Sequence, residues 1–328
     1  MFSLLAAVLC LSLVARVRGH GYVHTLNVGG KDYSGYLPFQ DPYEAGVKRI
    51  VRVVPDDGPV TNVKDASLAC NVGGDKPAAL VAEAAAGSKV TFKWNNVLTS
   101  CPKDHLGPVS TYMASCKGDC LKFDASGAKW FKIDAAGYDS SKKQWASAKL
   151  IADGASWTST IPSTLASGNY LIRHEIVALH SVGQPQFYPM CAQVKVTGSG
   201  NQTPSGSELV SIPGIYDNAK WPDIWSDGFK SFTIPGPALF SGNGNNDAQP
   251  APASTTPSTP SSTHSSTTSG SVTSAAPAGT SVASSAASAG SSASSSQVSA
   301  PSSTGKCRSK VARRSRLSRH ASLAKRQH

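Results

Sequence analysis

Gly168-Asn169-Tyr170-Leu171-Ile172-Arg173-His174-Glu175-Ile176-Val177-Ala178-Leu179 is the stretch on which the fold turns. Residues 170–179 are dense in apolar and β-branched side chains, and Ala166-Ser167-Gly168-Asn169 just before them is turn chemistry. Gly and Asn accept the backbone angles of tight turns, while β-branched side chains suit a pleated, packed surface. The run therefore reads as a strand. Comparable runs are Lys89-Val90-Thr91-Phe92-Lys93-Trp94, Trp157-Thr158-Ser159-Thr160-Ile161 and Gln193-Val194-Lys195-Val196. Clusters of Gly, Pro, Asn and Asp separate them, and no long segment carries a helical apolar period. Residues 20–243 are expected to be all-β, an antiparallel β-sandwich with its function in the loops. Residues 41–66 and 203–235 lack strand patterning and read as long loops, which in a compact domain tend to be functional or mobile.

The chain outside that region has a different composition. Residues 244–304 are little but Ser, Thr, Ala, Pro and Gly, with no charge after Asp247. So little apolar surface cannot offset chain entropy, so this segment is expected to be a disordered linker of the O-glycosylated type. Residues 305–328 form a basic tail with nine Lys and Arg and no acid. Those nine cations, with Arg16 and Arg18, account for the whole net charge of +11, so residues 20–304 are neutral. A folded basic face for nucleic acid is thereby disfavoured. The tail suits adhesion to anionic wall polymers or a solvated end open to proteolysis at Lys325-Arg326.

Residues 1–19 read as a secretory leader. An apolar run covers residues 4–14, too short to span a bilayer, and Val17-Arg18-Gly19 is a small-x-small cleavage signal. Secretion agrees with the cysteines. Six remain beyond the leader, and an even count favours disulfides. Cys116-Lys117-Gly118-Asp119-Cys120 brackets a glycine turn and could close on itself, Cys70 and Cys191 are candidates for a long-range bridge, and Cys101 and Cys307 are left over. Asn201-Gln202-Thr203 is an N-glycosylation acceptor.

Cleavage after Gly19 would leave His20 with a free α-amine beside its imidazole, two nitrogen donors in one residue. The alternative is cleavage nearby, with His20 an ordinary strand histidine. Further metal-type ligands lie in Asp104-His105-Leu106-Gly107-Pro108-Val109 and in His180 with Gln186-Phe187-Tyr188-Pro189-Met190-Cys191. Two imidazoles and an amine form a three-nitrogen set of the kind copper(II) accepts in tetragonal geometry. His24 reads as a neighbour of this set and His174 as a structural histidine. Glu175 stands alone in its run, without the second carboxylate that glycoside hydrolysis requires.

His20-Gly21-Tyr22-Val23, the His105 motif extended through Tyr112, the run 168–181, the Gln186–Cys191 motif and Ile234-Pro235-Gly236-Pro237 occur in this order. Together they resemble the fungal lytic polysaccharide monooxygenases of auxiliary activity family nine over residues 20–243. The resemblance implies an immunoglobulin/fibronectin-like antiparallel β-sandwich and one copper ion in a histidine brace. His20 would bind through its amine and a ring nitrogen, and His105 would add the third nitrogen. Tyr188 would stand axially, with His180 and Gln186 around the oxygen species. The implied disulfides are Cys70–Cys191 and Cys116–Cys120. The implied reaction is oxidative cleavage of β-1,4-glycosidic bonds in cellulose or hemicellulose by C1 or C4 hydroxylation, with O2 or H2O2 and an external electron donor. The segment between His180 and Tyr188 is shorter than the family's usual one, and Cys101 replaces its tryptophan-proline turn. Cys101 is expected to be paired or buried.

Sugar contact is expected from Tyr33, Tyr36, Tyr216 and Trp221 on loops. The partners expected are a β-glucan surface and an external reductant, with no nucleic acid, no membrane span and a monomeric state. Two further functions compete: a non-catalytic secreted copper-binding protein, and a carbohydrate-binding or wall-adhesive module.

Overall fold

The computed structural model describes residues 20–95 and 105–242. The expected leader, linker and basic tail, and also Cys101 and Cys307, lie outside the described residues. A four-stranded sheet has the order β2-β1-β4-β9, from β1 (Val23–Val28), β2 (Lys31–Ser34), β4 (Lys89–Trp94) and β9 (Ser156–Thr160). A five-stranded sheet has the order β3-β11-β10-β5-β6, from β3 (Ala82–Ala85), β5 (Val109–Ser115), β6 (Phe131–Ala136), β10 (Gly168–Ala178) and β11 (Gln186–Thr197). A small ribbon, β7 (Tyr138–Asp139) with β8 (Gln144–Trp145), and one short helix, α1 (Ala146–Ala152), complete the regular structure. The pairing is antiparallel except that β3 runs parallel to β11 at the sheet edge.

Strand β10 explains its own sequence. Its even-numbered residues Ile172 and Ile176 face the four-stranded sheet, sharing a core with Leu26 and Phe92 of that sheet and with Met113 of neighbouring β5. Its odd-numbered residues Leu171 and Val177 face the other way, into a second core with Trp130, Phe187, Tyr112 and Tyr216. A strand buried on both faces reads as a continuous apolar run instead of an alternating one. The long C-terminal loop is therefore not idle surface: Ile212 and Tyr216 from it seal the outer face of the five-stranded sheet.

That second core contains charge. Arg173 donates from Nη2 to Glu175 at 2.5 Å and to the Leu68 carbonyl at 2.7 Å, and from Nε to the Ala69 carbonyl at 2.8 Å. The Tyr216 hydroxyl donates to the other oxygen of Glu175. Glu175 is thus a fully partnered structural carboxylate. Cys70 pairs with Cys191 and Cys116 with Cys120.

Candidate metal centre

Three segments converge at one end of the sandwich. The chain enters β1 clamped to the end of β4: Tyr22 donates its N–H to Asn95 Oδ1 at 3.2 Å, and Asn95 returns its own N–H to the Tyr22 carbonyl at 3.0 Å. This fixes the approach to β1, and with it His20, at the end of the two central strands of the four-stranded sheet. The His105 segment is clipped to the end of β10 by Leu179 N–H to the Leu106 carbonyl at 2.8 Å and Val177 N–H to the Pro108 carbonyl at 3.1 Å. Only glycine fits between these contacts, because a Cβ on Gly107 would lie 1.8 Å from the Val177 carbonyl oxygen. Tyr188 comes from β11.

The ring centroids of His20 and His105 are 6.2 Å apart at an interplanar angle of 84°, and His20 is 6.2 Å from Tyr188. His105 lies 5.3 Å from Tyr188 and 5.5 Å from His180. His105 Nε2 sits 3.2 Å from the Tyr188 hydroxyl, which donates to Gln186 Oε1 at 2.9 Å. The five residues singled out from the sequence, His20, His105, His180, Gln186 and Tyr188, thus lie together.

Burial, reinforced by the nearby His180 and His20 rings, pushes the His105 imidazole down to about 3. It is neutral at ordinary pH, the state in which an imidazole can ligate metal. Burial and the Asp57 carboxylate push the Tyr188 phenol well above its ordinary range, so it keeps its proton. Among the described residues, no group of three His, Cys, Asp or Glu side chains is placed to hold an ion. Two imidazoles alone fall short of the three-nitrogen set that copper(II) accepts, so a fit to copper requires a third nitrogen from the main chain, as a freed His20 amine would supply.

Residues 20–232 match the model of Auxiliary Activity family 9, formerly GH61. The chain belongs to this family. AA9 proteins are copper-dependent lytic polysaccharide monooxygenases and are typically secreted. The chain is 48% identical over 242 residues to AA9 family lytic polysaccharide monooxygenase B of Gloeophyllum trabeum, covering 69% of this chain and 93% of that one. The crystal structure of HiLPMO9B superposes with a TM-score of 0.61 at 40% identity, covering 67% of this chain and 99% of that one. A cellulose-active polysaccharide monooxygenase from M. thermophila superposes with a TM-score of 0.58, also at 40% identity, over 67% of this chain and 99% of that one. Among the described residues, no helix is long and apolar enough to cross a membrane.

The aromatic residues of this AA9 chain divide differently from the sequence expectation. Tyr216 is 3% exposed and bonded to Glu175, so it serves the core and offers no ring to a sugar. Tyr33 and Tyr36 are half-buried against the inner core, and Lys31 Nζ lies 5.1 Å from the Tyr33 ring centre. Trp221 packs on Phe187 with centroids 5.5 Å apart. The rings that do face solvent were missed: Phe39, Tyr43 and Trp225, the last 54% exposed. Trp225 donates its indole N–H to the His180 carbonyl at 2.9 Å, which ties it to the end of the sandwich where the histidines gather. A local signal existed, since Asp223 accepts the Trp225 backbone N–H at 2.9 Å in a turn that turns this residue outward. Asn201 is exposed.

Proposed function

We propose that this AA9 chain, secreted and cleaved after Gly19, breaks β-1,4-glycosidic bonds of cellulose or hemicellulose by oxidation at C1 or C4. The His20 amine, a His20 ring nitrogen and His105 would hold one copper ion, with the Tyr188 hydroxyl beside His105. Bound copper would supply activation of O2 or H2O2, with electrons from an external donor. The chain's own residues do the rest. His105 is kept neutral by burial and so offers its lone pair without first losing a proton. Tyr188 keeps its proton and hydrogen-bonds through it to Gln186 Oε1, so the phenol borders the site without becoming an anionic ligand. His180, close to His105, would border the space open to the oxygen co-substrate.

Sugar rings would stack on exposed Trp225, and on whatever faces Tyr33, Tyr36 and Trp221 leave uncovered. The observation that carries this reading is the convergence of His20, His105 and Tyr188 within 6.2 Å of one another. A non-catalytic copper-binding role needs the same nitrogens but not Gln186 held against the phenol. Incubation with cellulose and ascorbate, with and without EDTA, tests the reading: oxidised oligosaccharides that vanish with EDTA are expected. Copper binding with no such products would leave the non-catalytic role standing.

A further inference from the structure

We infer that Asn71 is a positioning residue for Tyr188, setting how the phenol stands against the two histidines; this rests on the copper reading above. The outer edge of β11 is covered by residues 50–60 along most of its length. Gln193 donates its N–H to the Ile50 carbonyl, Arg52 donates to the Cys191 carbonyl, and Val60 exchanges both backbone bonds with Phe187. Between the bridges Val51↔Ala192 and Val60↔Phe187, nine steps on one strand face five on the other. Four residues must therefore bow away, and they do so opposite Pro189, next to Tyr188.

Two features repair the gap. Proline at 189 has no N–H to leave unpaired on that edge. Its carbonyl takes the Asn71 carboxamide Nδ2 at 3.1 Å, while Asn71 Oδ1 accepts the Val72 N–H at 2.8 Å. Asn71 thus stands in for the missing strand residue with its side chain. It is 6% exposed and has φ of 73°, a left-handed conformation that glycine would adopt with less strain. The carboxamide, beyond the backbone shape, is what asparagine adds there. Asn71 is also anchored, because Cys70 before it is bonded to Cys191, two residues past Pro189. Asn71, Gly21 and Tyr188 line one small cavity of about 10 Å³, so the carboxamide, the approach to β1 and the phenol are neighbours.

The test is copper(II) EPR on the secreted protein with two substitutions. Asn71→Gly keeps the backbone and loses the donor; Asn71→Asp keeps the size and turns the donor into an acceptor. Both are expected to retain a type-2 copper signal with altered g and hyperfine values, and to bind copper about tenfold more weakly, as loss of a residue that orients a metal site does. Introduced into Tyr188→Phe, Asn71→Gly should add no further spectral change, because its effect runs through the phenol. Spectra and affinity equal to the parent's, with only the melting temperature lowered, would overturn the inference, as would an additive change in Tyr188→Phe. Should neither variant fold, the parent decides: in the silver(I)-loaded, diamagnetic protein the Asn71 Nδ2 NMR signals move from their metal-free positions, and unmoved signals overturn the inference. A parent with no type-2 signal would instead defeat the copper reading itself.

Discussion

His105 and His174 are both buried and both pushed down to about 3, yet the regions around them do opposite things. His174 lies between the two sheets, stacked on Phe92 with centroids 4.1 Å apart and its Nδ1 3.1 Å from Thr111 Oγ1. Thr111 reaches Ser159 at 2.9 Å, and Ser159 donates to Asp134 at 2.7 Å, so the imidazole ends a polar chain that stitches one sheet to the other. His105 sits on a loop at the sandwich end, facing two other imidazoles and a phenol. Burial alone makes a histidine neutral. What it then does depends on whether its neighbours are apolar rings and hydroxyls or further metal-type donors.

Substitution breaks this pairing most sharply. His105→Ala should weaken copper binding by at least about 100-fold, since even residues that only orient ligands cost 10- to 100-fold. His174→Ala should leave copper affinity in place and cost about 3 kcal/mol of stability, as large-to-small changes in a packed core do. Calorimetric copper titration and urea unfolding of both variants check this, and a reversed pattern would dissolve the contrast.

Acid sharpens it further. Above pH 6.5 His174 is neutral folded and unfolded, so it adds no pH dependence. Between 6.5 and about 3 the unfolded chain binds the proton and the folded one refuses it. Stability must therefore fall as pH falls through that window, by up to about 1.4 kcal/mol per unit for this one group. Urea midpoints of the metal-free protein at pH 7 and pH 4 should draw apart less in His174→Phe than in the parent; equal differences would contradict the placement.

The smallest effects compare two aromatics of one loop. Tyr216→Phe should cost about 1–3 kcal/mol, because Glu175 loses a buried partner, and should leave cellulose binding unchanged. Trp225→Ala should do the reverse, weakening cellulose binding several-fold with little change in unfolding midpoint. Pull-down on cellulose alongside thermal unfolding separates the two.

Legibility in the sequence followed the range of the forces involved. Strand β10 was readable because double burial writes itself as an unbroken apolar run. The His105 turn was readable from its Gly107-Pro108 pair, although the crowding that demands the glycine comes from distant Val177 on β10. The start of β11 was not readable, since Pro189 ordinarily argues against a strand, and only the bowed segment opposite, which asks no N–H of it, explains its tolerance. Tyr216 was misjudged because its partner Glu175 is 41 residues away in the chain. Glu175 in turn looked solitary, although Arg173 sits two residues before it and pairs with it across the strand's outer face. Trp225 was passed over beside Trp221, although its turn residue Asp223 was in plain view.

The central claim is that His20 contributes a main-chain nitrogen as well as its ring. Copper(II) EPR and affinity, compared between protein beginning at His20 and protein carrying one extra residue ahead of it, test this directly. A tight type-2 site in the first and its loss or gross weakening in the second is the predicted result. The same spectrum and affinity in both would contradict it.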